Sequence, residues 1–344
     1  MKTKIKKKVN DKTKIRRLNS LSLKKGIFPK LLDCLEDTIS KSAIVDFQNY
    51  LKKFPDITKW TVYSDYCLDD KNKNSDVYSF ALFPHIKDFR MLLDEISSNI
   101  KKDLKEKKVI AEETLDYLKN ENFFVFNFIF PKKYFNAKDF YKEKEINSLK
   151  KHIEIIKDNW KDDESKRRIL MLLRKWVKEL EVKSFSIKLY FQILICSFLA
   201  AYICVLLQRE KGNVEIYSWL SDKDDMTTFA EGVITAIYIL RKEEIKTIMK
   251  LKIKPIIEGF YTPKSDKELF YEPLIKIPDH FCGTLATVIK NNENNLQNFE
   301  SKYIQIVEGV LKENKNIINI EFLRDTDRKK LAVQRLVFRN KNLV

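Results

Sequence analysis

The sequence predicts an α/β protein with a mixed sheet flanked by helices and interrupted by a helical insertion. Three observations carry that expectation. Runs rich in β-branched and aromatic residues recur along the chain, segments of helical periodicity lie between them, and one charged helical stretch is too long for a simple sheet connection. At 344 residues and 44% hydrophobic content, the chain can bury a sizeable core.

The elements follow in order. The first 25 residues hold eleven Lys and Arg against one acid, so residues 1–26 read as a basic flexible arm and residues 27–344 as the folded domain. The formal charge is +17, of which the arm supplies +10. Such an arm either contacts a phosphate backbone, where neutralising phosphates releases counterions, or keeps the chain soluble. KWTVYSDY (Lys59 to Tyr66) and DVYSFALF (Asp76 to Phe83) are strand-like runs joined by an Asn- and Asp-rich connection, the pattern of a hairpin. From Ile86 to Glu106, Ile86, Phe89, Leu92, Leu93, Ile96 and Ile100 share one helical face. FFVFNFIF (Phe123 to Phe130) is a third strand, and the charged region from about 136 to 182 is the helical insertion.

Leu189 to Leu207 is 19 residues without a charge, roughly 28 Å as a helix and long enough to cross a bilayer. Its context points instead to a buried helix. Gly212 follows as a stop, and the strand-like NVEIYSWL (Asn213 to Leu220) begins at once. Then come the acidic turn Ser221 to Asp225 and a helix with Phe229, Val233, Ile237 and Leu240 inward. Strands are expected at Leu251 to Phe260 and Asn316 to Leu323. Between them, Pro278 opens a helix that buries Phe281, Leu285 and Val288.

Several function classes are excluded by what is missing. Five cysteines show no CxxC pair, so neither a disulfide framework nor a zinc finger is indicated, and a reducing cytoplasm fits. The basic N-terminus lacks an apolar region behind it and does not read as a secretory signal. With six glycines there is no phosphate loop, dinucleotide fingerprint or GxSxG elbow. Three histidines leave carboxylates as the expected ligands of any metal.

Carboxylates recur at element ends: Asp65 closes the first strand, Asp222 follows a later one, and Asp279 sits beside Pro278. Glu95 or Asp94 on the intervening helix offers a fourth. Hard oxygen ligands of this kind suit Mg²⁺ or Mn²⁺, and two such ions can activate water and stabilise a leaving oxygen in phosphodiester cleavage. Each acid also has a plainer role. Asp69, Asp70 and Asp76 suit a solvated turn, Asp224 and Asp225 suit a helix cap, and Asp222 and Asp279 suit either cap or ligand. Asp94 and Glu95 suit a solvated helix face. Trp60 and Trp219 are better read as core than as base-stacking platforms, and His280 as a packing residue.

The order of elements resembles the ribonuclease H-like superfamily. Within it, the stretches YSDYCLDD, IYSWLSDKDD and IPDHFCGTLA are similar to a bacterial and phage family with an acidic first hairpin of Asp-Glu-Ser-Gly type. Here that motif reads Asp65-Tyr66-Cys67-Leu68, without the Glu or Gly. The resemblance implies a two-metal nuclease site of Asp65, Asp222 and Asp279 with Glu95, a nucleic-acid substrate, and a partner encoded nearby in a mobile-element or phage-defence setting. The alternative is the same fold used without chemistry, as a nucleic-acid-binding or scaffold subunit of a larger complex.

Overall fold

The computed structural model describes residues 27–132, 134, 141–261, 269–289, 299–325 and 330–339. The basic arm at 1–26 and the start of the expected insertion, 136–140, lie outside the described residues. The chain enters with α1 (Ile27–Ser42) and α2 (Ile44–Lys52), followed by β1 (Lys59–Cys67) and β2 (Ser75–Pro84). Next come α3 (Phe89–Asn99), α4 (Glu112–Leu118) and β3 (Phe124–Pro131). The helices α5 (Lys142–Asn159), α6 (Glu164–Glu181) and α7 (Ile187–Lys211) precede β4 (Ile216–Ser221). Then follow α8 (Asp225–Thr228), α9 (Val233–Ile248), β5 (Ile257–Tyr261), α10 (Glu272–Val288), α11 (Ser301–Ile306), β6 (Ile317–Asp325) and β7 (Lys330–Leu336).

The strands form one sheet in the order β5-β4-β1-β2-β3-β6-β7. β1, β2 and β3 make an antiparallel meander; β4 runs parallel to β1 and β5 to β4, while β6 runs parallel to β3 and β7 returns antiparallel. This is the α/β mixed sheet flanked by helices that the sequence predicts, and its strand order is consistent with a ribonuclease H-like arrangement.

Strand alternation sends successive side chains to opposite faces. Trp60, Val62, Phe80, Phe126 and Ile318 point into a core shared with α1, α2, α6, α7 and α9. Tyr63, Ala81, Phe83, Val125 and Ile129 point into a second core beneath α3, α4, α10 and α11. The odd-numbered positions of β1 therefore face α10, and Asp65 is one of them.

The apolar segment forms α7. Ser186 caps it by accepting from the Leu189 amide at 3.2 Å, and Gly212 ends it in the left-handed region at φ 72°. Among the described residues it is the one helix long and apolar enough to cross a membrane, but 89% of its most apolar window is buried inside the protein. Packing against α9 and sharing a core with the sheet explain why it needs no polar face.

Elsewhere the boundaries differ for local reasons. The helix expected from Pro278 starts at Glu272, with Pro273 in its first turn and Pro278 inside. A proline inside a helix forfeits one backbone hydrogen bond, and the buried Leu274, Ile275 and Ile277 offset that loss. β5 is shorter than Leu251 to Phe260, since Pro255 cannot donate to a ladder. The helix expected to reach Glu106 stops at Asn99, and Leu104–Glu106 is a separate 3₁₀ turn. The insertion is a pair of helices, α5 and α6, with α6 packed on α9.

Candidate metal centre

Because β1 and β4 are parallel neighbours with Ser64 opposite Ser221, Asp65 and Asp222 leave the sheet side by side. The Asp222 amide donates to the Ser64 carbonyl at 2.8 Å, fixing that level. α10 crosses above, and its positions 279 and 282, three residues apart, lie on one face. Ligand atoms of Asp65, Asp279 and Cys282 all fall within 4.8 Å of one another. The grouping has the residue types and spacing to hold a metal ion.

Each carboxylate is oriented by a backbone donor. Asp65 Oδ1 accepts from the Tyr66 amide at 2.7 Å, and its Oδ2 accepts from the Cys282 thiol at 3.4 Å. Asp279 Oδ2 accepts from the Leu104 amide at 2.9 Å. Among the described residues, no Lys or Arg forms an ion pair with Asp65, Asp222 or Asp279.

The electrostatics follow first from burial, with Lys105 opposing the shift at Asp279. Burial, then the charges of Asp279 and Asp222, push the Asp65 carboxyl well above the usual carboxylate range. Burial raises Asp222 as well, with Asp224 and Asp103 adding repulsion against the relief given by the Lys223 amide and the hydrogen-bonded Asp65 carboxyl. Asp279 is raised to about 6, first by burial and then by Asp103 and Asp222, although the Leu104 amide opposes the shift. The Cys282 thiol is raised by burial and by the neighbouring Asp65 and Asp279 charges.

The structure thus groups Asp65 and Asp279 with Cys282; Asp222 lies outside that close grouping, its carboxyl hydrogen-bonded to Asp65, and Glu95 is elsewhere. Glu95 pairs with Lys87 and lies against the Tyr117 hydroxyl. Two further acids reach the cluster with their fields: Asp224, which acts on Asp222, and Asp103, just before the 3₁₀ turn, which acts on both Asp222 and Asp279. Neither Asp103 nor Cys282 was expected. The i, i+3 spacing of Asp279 and Cys282 was a signal that could have found the cysteine.

The plainer roles hold for most of the remaining acids; Asp76, read as part of the turn, instead lies on β2. Asp70 Oδ1 accepts from the Asn72 amide at 2.9 Å within the hairpin turn; Asp76 takes Lys132, and Asp69 takes Lys188 at 2.8 Å. Asp224, not Asp222, caps α8, accepting from the Met226 amide at 2.9 Å. Asp225 stands in the first turn of α8. Asp94 accepts only through its backbone carbonyl, from Ser98 at 2.8 Å. Trp60 and Trp219 are buried, with Trp219 Nε1 donating to Ser64 Oγ at 2.9 Å. His280 is fully buried, its Nδ1–H donating to the Lys276 carbonyl at 2.6 Å, and burial lowers it to about 4.

No family model, curated protein or solved structure matches this chain. What the fold and site define is a class: an α/β protein with a mixed sheet and a buried, metal-capable acidic cluster where two parallel strands end.

Proposed function

We propose that the chain is a metal-dependent nuclease of ribonuclease H-like fold, cleaving phosphodiester bonds of DNA or RNA. The supporting observation is the grouping of Asp65 and Asp279 from β1 and α10, with Asp222 at the end of β4 hydrogen-bonded to Asp65, all with raised proton affinity and none ion-paired with a Lys or Arg among the described residues. Buried carboxylates are ordinarily paired or engaged in metal coordination. Asp65, Asp222 and Asp279 would hold Mg²⁺ or Mn²⁺, which supplies Lewis-acid charge stabilisation and an activated water. The residues themselves do two things. The Tyr66 and Leu104 amides orient Asp65 and Asp279, and the surrounding burial keeps bulk water from screening their charges. The basic residues of 1–26 supply a sequence-independent hold on the nucleic-acid backbone.

A second reading keeps the fold without the chemistry, as a nucleic-acid-binding or scaffold subunit with a partner encoded nearby. It is favoured by the Cys282 thiol hydrogen-bonded to Asp65 in the centre of the cluster. Cleavage of single- and double-stranded DNA and RNA with Mg²⁺ or Mn²⁺, compared with Asp65→Ala and Asp222→Ala, separates the two. The nuclease reading expects cation-dependent cleavage that both changes abolish. Cleavage that neither change affects, or none under any of these conditions, overturns it.

A further inference from the structure

A cavity of about 410 Å³ opens between the start of β6, the end of β7 and α2. None of the acidic cluster's residues lines it. Its size falls in the range of small-ligand sites, about 300 to 1,000 Å³.

The floor of this cavity is the end of a polar row that crosses the sheet. Ser79, Asn127 and Asn319 stand opposite one another on β2, β3 and β6. All three are buried. Ser79 Oγ donates to Asn127 Oδ1 at 2.6 Å, and Asn127 Nδ2 donates to Asn319 Oδ1 at 2.9 Å. This sequence of donors and acceptors sets the last amide: its oxygen is taken, so its NH₂ is what remains to offer. Asn319 is 2% exposed and lines the cavity, so its NH₂ is the group it presents there.

Lys315, Arg335 and Arg339 also line the cavity, against two acids, Asp46 and Glu313. The Arg335 guanidinium is fixed by Asp46 at 2.6 Å and by the Ser42 carbonyl, which cancels the Asp46 charge and leaves further N–H groups unused. Lys315 and Glu313 are exposed members of the lining, and Glu313 is its one acid besides Asp46. An adjoining hollow of about 380 Å³ shares this rim and adds further lysines, Lys312 among them. Ile317 and Leu336 supply an apolar wall.

We propose that this cavity binds a phosphate-bearing ligand of mononucleotide size, with the phosphate held by the Asn319 amide, Lys315 and the unused edge of Arg335. The nucleoside portion would lie against Ile317 and Leu336. The inference stands apart from the nuclease reading, since it uses no residue of the acidic cluster.

The test is calorimetric titration of the full chain, dialysed free of divalent ions in about 0.15 M chloride, with adenosine monophosphate and separately with inorganic phosphate. Saturable single-site binding is expected, weakened tenfold or more by Asn319→Asp and by Lys315→Glu and unchanged by Asp65→Asn. Binding of both probes assigns the site to the phosphate group alone; binding of the nucleotide only shows that the nucleoside is needed. The inference is overturned if neither probe binds, or if both variants bind as the wild type does. Should Asn319→Asp fail to fold, the exposed Lys315→Glu carries the same comparison.

Discussion

Asp279→Asn should stabilise the metal-free protein, and the structure fixes both the sign and the size. Folding raises Asp279 from 3.8 to about 6. An acid whose proton affinity rises on folding is penalised when ionised. The penalty is absent well below pH 3.8, grows between 3.8 and 6, and is complete above 6. At about 1.4 kcal/mol per pH unit, the full value is about 3 kcal/mol. Just over a quarter of the side chain still reaches solvent, which reduces it to about 2 kcal/mol. Urea denaturation at pH 7.5 without divalent ions should show the variant more stable by that amount, with most of the gain gone near pH 4. Saturating Mn²⁺ should reverse the order, because an ion at a hundredfold its dissociation constant adds about 2.7 kcal/mol to the protein that binds it. A variant no more stable than wild type at pH 7.5, or equally favoured at pH 4, refutes this reasoning.

Two further outcomes follow from buried charges. Burial lowers His280 to about 4, so the unfolded chain takes up its proton first and stability falls as pH drops from 6.5 to 4, by about 3 kcal/mol. His280→Gln should remove that part of the acid sensitivity in denaturation curves at pH 6.5 and 4, and an unchanged slope would exclude the assignment. Lys242, buried on α9, pairs with Glu258 on β5, which also accepts from the Tyr238 hydroxyl at 2.8 Å. Lys242→Met leaves Glu258 unpaired and should cost about 3 to 5 kcal/mol in urea denaturation, with Glu258→Gln in the same chain restoring much of it. A single variant within about 0.5 kcal/mol of wild type would contradict this.

The parts of the site legible in the sequence were those with a local signature. Asp65 and Asp222 stand where β-rich runs end, and strand ends at one edge of a parallel pair must lie together. Asp224 and the hairpin acids were legible as caps and turns for the same reason. Asp279 was found as an acid, but its place was misjudged: Pro278 reads as a helix opener, whereas the buried face begins at Leu274 and carries the helix back to Glu272. Glu95 shows why a helix face is not enough. Periodicity says which side meets the sheet, but not how far along the sheet each turn sits, and that offset decided between Glu95 and Asp103. Cys282 depended on the same offset between α10 and β1. Strand β7, with its mixture of polar and apolar positions, carries no strand signal until it pairs with β6.

The central claim is that Asp65, Asp222 and Asp279 gather to hold divalent cations, and a crystal of the protein soaked in Mn²⁺ tests it most directly. The account predicts an anomalous-scattering peak among the three carboxylates that disappears in Asp65→Asn. Carboxyl groups left sharing protons, with no manganese between them, would contradict it.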